Sequence, residues 1–568
     1  MMLKTIKIEN FRGITALEIA LDRTTVLIGE NNTGKTSVLD ALYTCMSRGL
    51  TRRAMPFSDY DFHLATANSE PADALPIALT LTFEESQKEE WPNEVIQAFP
   101  GAMQTLDDER QQLTFRVTGR YDSTARESVV EAVFLDRAGN ALRTPVSLIQ
   151  NLQDLSPVFS VGAVREASHH FQPKGTFWAP FTKNPQFPED KRREIEEQIE
   201  QLNQSVLDGH KPFDEVKGRL AKAAGLLPLA PEDVVSVEAV PARIADVLTR
   251  TEVKLAATTG ARLPIPEHGA GTQSLSVLFL FEAFLQSRLA DAFDRMAEPI
   301  LALEEPEAHL HPSATRALWS IVDGFRGQKV IASHSGDLLA AVPLPAIRRL
   351  ARRNGKISVF QLGEKTLDQR EAEKVTYHVK ASRGSLLFAR CWLLVEGQSE
   401  FVMLPELARI LGKDLDLAGV SCVEYAHCWP PALLKTASAL GIEWHLLADG
   451  DSNGKRAAAS ALPFVGAEEE TDRVSTLTDH DLEHLMWNAG YGAVYETAVD
   501  SVGRKGVKSQ AGTSGYVDEV IAAAIASSSK PELAYAVLAE IAKRGAAGVP
   551  TPLRDAIDMA VKLADRSR

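Results

Sequence analysis

The chain has 568 residues, 45% of them hydrophobic and 24% charged, with a formal net charge of −15. Roughly 100–200 residues make one domain, so this length provides for about three to five domains with large cores. The negative balance argues against a protein that coats nucleic acid through bulk charge, because phosphate neutralisation drives that kind of binding. It leaves room for a local basic track beside an acidic, metal-filled pocket.

No apolar run approaches the ~20 residues needed to span a bilayer. The opening MMLKTIKIENFRG lacks the apolar stretch of a secretory signal. The four cysteines, Cys45, Cys391, Cys422 and Cys428, form no CxxC pair, which argues against a zinc ribbon and fits a reducing compartment. A cytoplasmic location without membrane attachment is the expectation.

Residues 1 to about 160 predict mostly strand: KTIKIENF, TALEIAL, TTVLIGE, IALTLTFEE, LTFRVTGRYD and ESVVEAVFLD are β-branched or alternating and separated by turn residues. Between the third strand and a helix lies VLIGENNTGKTSVLDAL, which sets Gly29, four residues, then Gly34, Lys35 and Thr36. This is the spacing of a phosphate-binding loop. Its glycines let backbone N–H groups face phosphates at a helix N-terminus. Lys35 reaches for the β/γ-phosphates, and the Thr36 hydroxyl takes a place on Mg²⁺.

A polar, helix-prone block follows from about Glu189 to Leu226. In it Ile195, Ile199, Leu202 and Val206 step by helical intervals. The seam fits either a surface helix packed on its own domain or an inserted dimerisation arm. From about Val235 to Leu362 strands and helices alternate. The apolar run in PILALEEPEAHLHP delivers Glu304 and Glu305 at a strand end, where one suits Mg²⁺ and the other an attacking water. KVIASHSGDLL ends another strand at Ser333 and His334, whose imidazole suits a γ-phosphate contact. KISVFQLGEKTLDQREAEKVTYHV reads as a closing hairpin and connector.

IKIENFRGI, GENNTGKTS, LALEEPEAHLHP and IASHS together resemble the ABC-type ATPases of the RecF and SMC kind. The resemblance implies that Gly29, Asn31, Asn32, Gly34, Lys35, Thr36 and Ser37 cradle ATP, with one Mg²⁺ shared by Thr36 and Glu304, and that Glu305 and His334 serve hydrolysis. Glu304 departs from the family's usual aspartate and implies a longer reach to the same ion. The family's signature helix is matched loosely by HGAGTQSLSVLFLF, with Gly271 and Ser274 the nearest residues. In that family ATP is sandwiched between two copies, which implies a homodimer or higher homo-oligomer.

A second α/β unit begins near Leu387. CWLLV ends in Glu396, Gly397 permits a sharp turn, and Glu400 falls on the first turn of the next helix; WHLLADGDSNGK ends another strand at Asp449 and Asp451. In a parallel sheet the C-terminal strand edges form the ligand crevice, so both acidic pairs are expected at one edge. LTDHDLEHLM adds Asp479, Asp481 and Glu483. Carboxylates gathered this closely repel unless cations sit between them. Oxygen-only ligands favour Mg²⁺ or Mn²⁺, and such a set suffices for two ions about 4 Å apart, the arrangement that cleaves phosphodiesters. From about Gly515 the tail is Ala-rich and helical.

A strand–E–G–x–x–E element followed by a strand–D–x–D element resembles the Toprim domain of topoisomerases, primases and some nucleases. An ABC-type ATPase followed by a Toprim domain resembles the OLD (overcoming lysogenisation defect) family of ATP-dependent endonucleases, over essentially the whole chain. FSDYDF and VEGQSE look most like the RecF-like endonuclease branch, with the Gabija nuclease subunit a close cousin. The resemblance implies two metals held by Glu396, Glu400, Asp449 and Asp451, with Glu483 or Asp481 completing the set. It also implies a late catalytic lysine, best matched by Lys530, with Lys505 and Lys508 as alternatives better suited to DNA backbone.

The expected fold is α/β. Residues 1–165 and 235–384 form an ABC ATPase interrupted by a helical insertion at 166–234, and residues 385–568 form a Toprim domain with a helical C-terminal extension. The expected function is an ATP-regulated, metal-dependent DNA endonuclease or nickase in phage defence or DNA repair, with DNA and a helicase-like protein as partners. One rival is a RecF-like DNA-binding ATPase with a non-catalytic Toprim unit; another is a topoisomerase, which needs a tyrosine nucleophile.

Overall fold

The computed structural model describes residues 1–47, 57–66, 68–162, 179–182, 187–209, 212, 240–241, 244–248, 251, 253–256, 260–353, 355–382, 384–466 and 470–566. Most of the expected insertion at 166–234 lies outside them.

Alternating sequence builds the first layer. β1 (Leu3–Phe11), β2 (Ile14–Ala20), β4 (Ile77–Glu84), β5 (Gln104–Thr105), β6 (Gln111–Asp122) and β7 (Glu127–Leu135) form an antiparallel sheet in the order β2-β1-β4-β6-β5, with β7 on β6. In β2 only Ile14, Leu17 and Ile19 are buried, which is the one-sided pattern of a sheet with one wet face.

The second sheet holds β3 (Thr24–Gly29), β8 (Val158–Val161), β11 (Ile300–Glu304), β12 (Gln328–Ala332), β13 (Ile347–Arg353) and β14 (Lys356–Gln361), in the order β14-β13-β3-β12-β11-β8. All its neighbours run parallel except β13 and β14. β12 is buried at every position, as expected where both faces are covered. Between β8 and β11 a small antiparallel pair, β9 (Lys254–Ala256) and β10 (Arg262–Pro264), stands apart.

The third sheet is wholly parallel: β16 (Val420–Glu424), β15 (Cys391–Val395), β17 (Glu443–Ala448) and β18 (Val474–Thr476), in that spatial order. β15 is fully buried. Trp392 and Leu394 point into a core that is continuous with Val26, Ile28 and Ile331 of the second sheet. Cys391, Leu393 and Val395 point the other way, into a core made with the helices Ser514–Ser527, Lys530–Arg544 and Thr551–Arg566.

The hairpin-and-connector expectation needs one correction. β13 and β14 do pair as a hairpin, but Gln369–Ala381 is a helix, started by a capping box in which Asp368 and Glu371 each bond the other's backbone N–H. In the polar block, Glu189–Gly209 is helical; Ile199 is buried, while Leu202 and Val206 are exposed. Its expected continuation to Leu226 lies outside the described residues.

Arginines on β13 stitch the second sheet to the third. Buried Arg349 donates to the carbonyls of Leu440 and Gly441 at 3.1 Å each and to that of Ala389 at 2.9 Å. Leu440 closes the helix Pro430–Ala439, so the guanidinium caps the negative end of a helix in the neighbouring unit. Arg353 reaches the Gly441 carbonyl and the Glu443 carboxylate.

Candidate functional site

At the end of β3 the chain turns through Gly29 with φ 151°, where a Cβ would lie 2.2 Å from the Leu350 carbonyl oxygen on β13. Gly34, with φ 89°, opens the helix Lys35–Met46. Lys35 is 6% exposed, and its Nζ donates to the carbonyls of Gly29 at 2.9 Å and Glu30 at 2.8 Å. Burial lowers its pKa to about 8, against the opposing pull of Glu305, Glu30 and Glu304. The Thr36 hydroxyl donates to Glu304, so the expected Mg²⁺ pair meets.

Glu305 sits in the left-handed region at φ 46°, a conformation costly for a side-chain-bearing residue. Its carboxylate lies 3.9 Å from His334 Nε2. Burial and the nearby Lys35 charge lower the His334 pKa, which keeps the imidazole neutral and able to accept. The sequence reading missed Glu307, which accepts from Ser333 Oγ at 2.6 Å and the His334 amide at 3.3 Å and thereby ties the end of β11 to that of β12. Burial raises its pKa. Gly271 and Ser274 open the helix Ala270–Ser287; a Cβ on Gly271 would lie 2.8 Å from the His309 carbonyl oxygen, and Ser274 Oγ is 3.4 Å from that of Ala308.

The second constellation gathers where β15, β17 and β18 end. Glu396 follows β15, and Glu400 sits on the first turn of the helix Gln398–Ile410. Asp449 follows β17, and Asp451 caps the next helix by accepting from the Gly454 amide at 2.7 Å. Asp481 caps a short helix that carries Glu483. Glu400 and Glu483 are 6% and 4% exposed.

Their mutual field shows that they converge. Burial, then Glu400, Glu396, Asp481 and Glu483, push Asp449 up to about 9. Burial and Glu483 push Glu400 up to about 7, and burial with Asp451 raises Glu396. Asp481 goes the other way. Burial opposes its charge, but bonds from the His484 amide and imidazole outweigh it.

Lys530 brings a positive charge into this field. Its ammonium lies 3.3 Å from Glu483 Oε1, and attraction to Glu483, Glu400 and Asp481 outweighs burial to raise its pKa. Lys505 and Lys508 are exposed on the connecting segment. Asp479 turns away, its carboxylate accepting from Asn488 Nδ2 at 2.6 Å.

Further residues escaped the sequence reading. The phenol of Tyr425, 1% exposed, donates to Glu396 at 3.3 Å, and Ser399 Oγ donates to Glu483 at 3.2 Å. Both lie close to the acids in sequence or at a strand end, but neither residue type marks a site by itself. His480, Asp481 and His484 also bring ligand atoms within 4.8 Å of one another, and both rings bond Asp481.

A phosphate loop and acidic strand end on one parallel sheet, joined to a second parallel sheet rimmed by carboxylates, define an ATPase–Toprim protein. The chain belongs to the family described as "Protein of unknown function (DUF2813)", whose model matches residues 1–385, and its residues 387–451 match the model described as "Overcoming lysogenization defect protein-like, TOPRIM domain", an ATPase–Toprim arrangement of the OLD kind. It is similar to the "Uncharacterized protein YbjD" of Escherichia coli (strain K12), 28% identical over 563 residues, covering 98% of this chain and 97% of that one. It is 21% identical over 485 residues to "Endonuclease GajA" of Bacillus cereus (strain VD045), covering 82% and 78%. A solved structure of the C-terminal region of the Burkholderia pseudomallei OLD protein matches 32% of this chain and all of that one, with 21% identity and a TM-score of 0.26. Among the described residues no helix is long and apolar enough to cross a membrane.

Proposed function

We propose that this chain is an ATP-regulated, divalent-metal-dependent DNA endonuclease or nickase. The observation that carries the reading is the convergence of Glu396, Glu400, Asp449, Asp451 and Glu483 from three strand ends beside Lys530. A carboxyl pushed up to about 9 is neutral at pH 7 and donates poorly to a cation. A divalent ion supplies the charge that such a cluster lacks, so the donor set fits a hard cation bound by oxygens. GajA, an endonuclease by name, supports the same reading.

In this proposal Glu396, Glu400, Asp449, Asp451 and Glu483 hold two Mg²⁺ or Mn²⁺ ions, with Asp481 beside them. The chemistry bound ions supply there is polarisation of water and of the scissile phosphodiester. Lys530 sets a positive charge against the negative charge that develops on the phosphate. Tyr425 and Tyr495 lie against the cluster but are 1% and 2% exposed, and burial raises both pKa values well above the ordinary phenol. They are poor nucleophiles, which disfavours a topoisomerase.

In the ATPase part, Gly29, Asn31, Asn32, Gly34, Lys35, Thr36 and Ser37 bind ATP. Thr36 and Glu304 hold its Mg²⁺, and Glu305 and His334 face the attacking water. Gly271 and Ser274 complete the site of a second copy in a homodimer. The setting is phage defence or DNA repair, with a helicase-like protein as a further partner.

The test incubates purified protein with supercoiled plasmid and Mg²⁺ or Mn²⁺, with and without ATP. Wild type converts the plasmid to nicked or linear form, Glu396→Ala abolishes conversion, and Lys35→Ala changes only its response to ATP. Equal conversion by wild type and a Glu396→Ala, Asp449→Ala double variant sinks the reading in favour of a DNA-binding ATPase.

A further inference from the structure

The phosphate loop and the strand that delivers Glu396 touch directly. Glu30 follows Gly29 in the loop, and its carboxylate lies 2.5 Å from Arg390 Nε. Arg390 immediately precedes β15, and Glu396 immediately follows it. The Arg390 main chain is pinned on both flanks: its N–H donates to the Gly419 carbonyl at 2.7 Å, and its carbonyl accepts from the Glu443 amide at 2.8 Å. The five residues between are buried and hydrogen-bonded on two sides. A close-packed strand of this kind transmits a push at one end to the other.

The loop end of the contact is the mobile one chemically. Lys35 Nζ bonds the carbonyls of Gly29 and Glu30 themselves. An ammonium that turns to nucleotide phosphates gives up those carbonyls, and the backbone that carries Glu30 is freed with them. A cavity of about 250 Å³, lined by Glu30, Asn32, Arg349, Arg352 and Arg390, lies against the pair and gives the carboxylate room to move. Further links across this seam, from Arg349 and Arg353, start on β13 and end on carbonyls or on Glu443. They start on a strand rather than on the loop, so they join the units without using the Glu30–Arg390 pair.

We propose that the Glu30–Arg390 ion pair is the contact through which the phosphate loop sets the position of β15, and with it Glu396 and Glu400. The idea rests on the nuclease reading above and names how its site is regulated. The Glu30 side chain is 47% exposed and that of Arg390 14%, so the carboxylate is the partner free to leave; the pair's role is to be made in one loop state and broken in the other, the discrete element that coupling requires.

The test uses the full chain as wild type, as Arg390→Gln, and as the exchanged pair Glu30→Arg with Arg390→Glu. Amide hydrogen exchange of Leu393–Gln398 is measured with and without ATP, alongside plasmid nicking in Mn²⁺ with and without ATP. In wild type ATP alters the exchange of this segment and changes nicking, and an ordinary coupling amounts to about 5- to 150-fold. Arg390→Gln keeps wild-type nicking without nucleotide, but its ATP-to-no-ATP ratio falls to one and the exchange change disappears. The exchanged pair restores both. An Arg390→Gln protein that keeps the full ATP response in exchange and nicking overturns the proposal, as does an exchanged pair that restores neither. If wild type and Glu396→Ala are equally inert on plasmid, the nuclease reading fails instead, and the exchange measurement alone decides the coupling.

Discussion

At the scale of single residues, the carboxyl cluster is defined by what holds it as much as by what it holds. Tyr425 spends its only hydroxyl on Glu396 from a fully buried position. Tyr425→Phe keeps the ring packing and removes that bond. It is expected to cost about 1 kcal/mol of stability and to raise the Mn²⁺ concentration needed for half-maximal nicking, read from a metal titration. Asp449 at about 9 and Glu400 at about 7 keep protons that the unfolded chain releases near pH 4. The folded state therefore binds more protons across that interval, and the stability that these groups contribute falls as pH rises from about 4 toward 9. Melting in EDTA is expected to shift downward over this range. Added Mn²⁺ should recover the loss, and recover more at pH 8 than at pH 6, because the cation replaces the protons. A metal-free melting temperature that rises with pH over that window contradicts the assigned field.

At the scale of elements, three strand ends set the site, and they were unequally legible. CWLLV and EWHLLA are apolar runs that read as buried strands at once. The third end was not visible, because β18 is three residues long and carries Val474 alone as an apolar side chain; it exists because β17 offers an edge to pair with. Hence the sequence placed Asp479, Asp481 and Glu483 near the site without saying which would face it. The helix Gln369–Ala381 was legible and missed: its Asp368–Glu371 box is a start signal, but few apolar residues follow it. Ser147–Leu155 likewise shows Leu148, Ile149, Leu152 and Leu155 at helical spacing, all buried. The turn after β17 yields a prediction. A Cβ on Gly450 would lie 2.1 Å from the Asp479 carbonyl oxygen and 2.7 Å from that of Leu477, both rigid backbone. Gly450→Ala is expected to cost upwards of about 3 kcal/mol and to abolish nicking, whereas Gly466→Ala, which would meet nothing within 4 Å, should melt like wild type.

At the scale of the whole molecule, one apolar core passes from Val26 and Ile331 in the ATPase sheet to Trp392 and Trp444 in the Toprim sheet. Units that share a core unfold together. Calorimetry of the full chain is expected to show the two sheets melting in one transition; separate peaks, one of them sensitive to ATP and the other to Mn²⁺, would contradict this. Arg349 sits at the middle of the seam, 4% exposed. Arg349→Ala strands three backbone carbonyls, and at about 1.5–3 kcal/mol for a bond to a charged group it is the single change most apt to split the transition. The same guanidinium bears on engineering. It projects from β13, the strand alongside the phosphate loop, yet it seats a helix of the other unit. A chimera spliced in the Gly384–Ala389 stretch would bring together halves that lack each other's keys. To transplant the Toprim unit onto a foreign ATPase, one must carry that strand across with it.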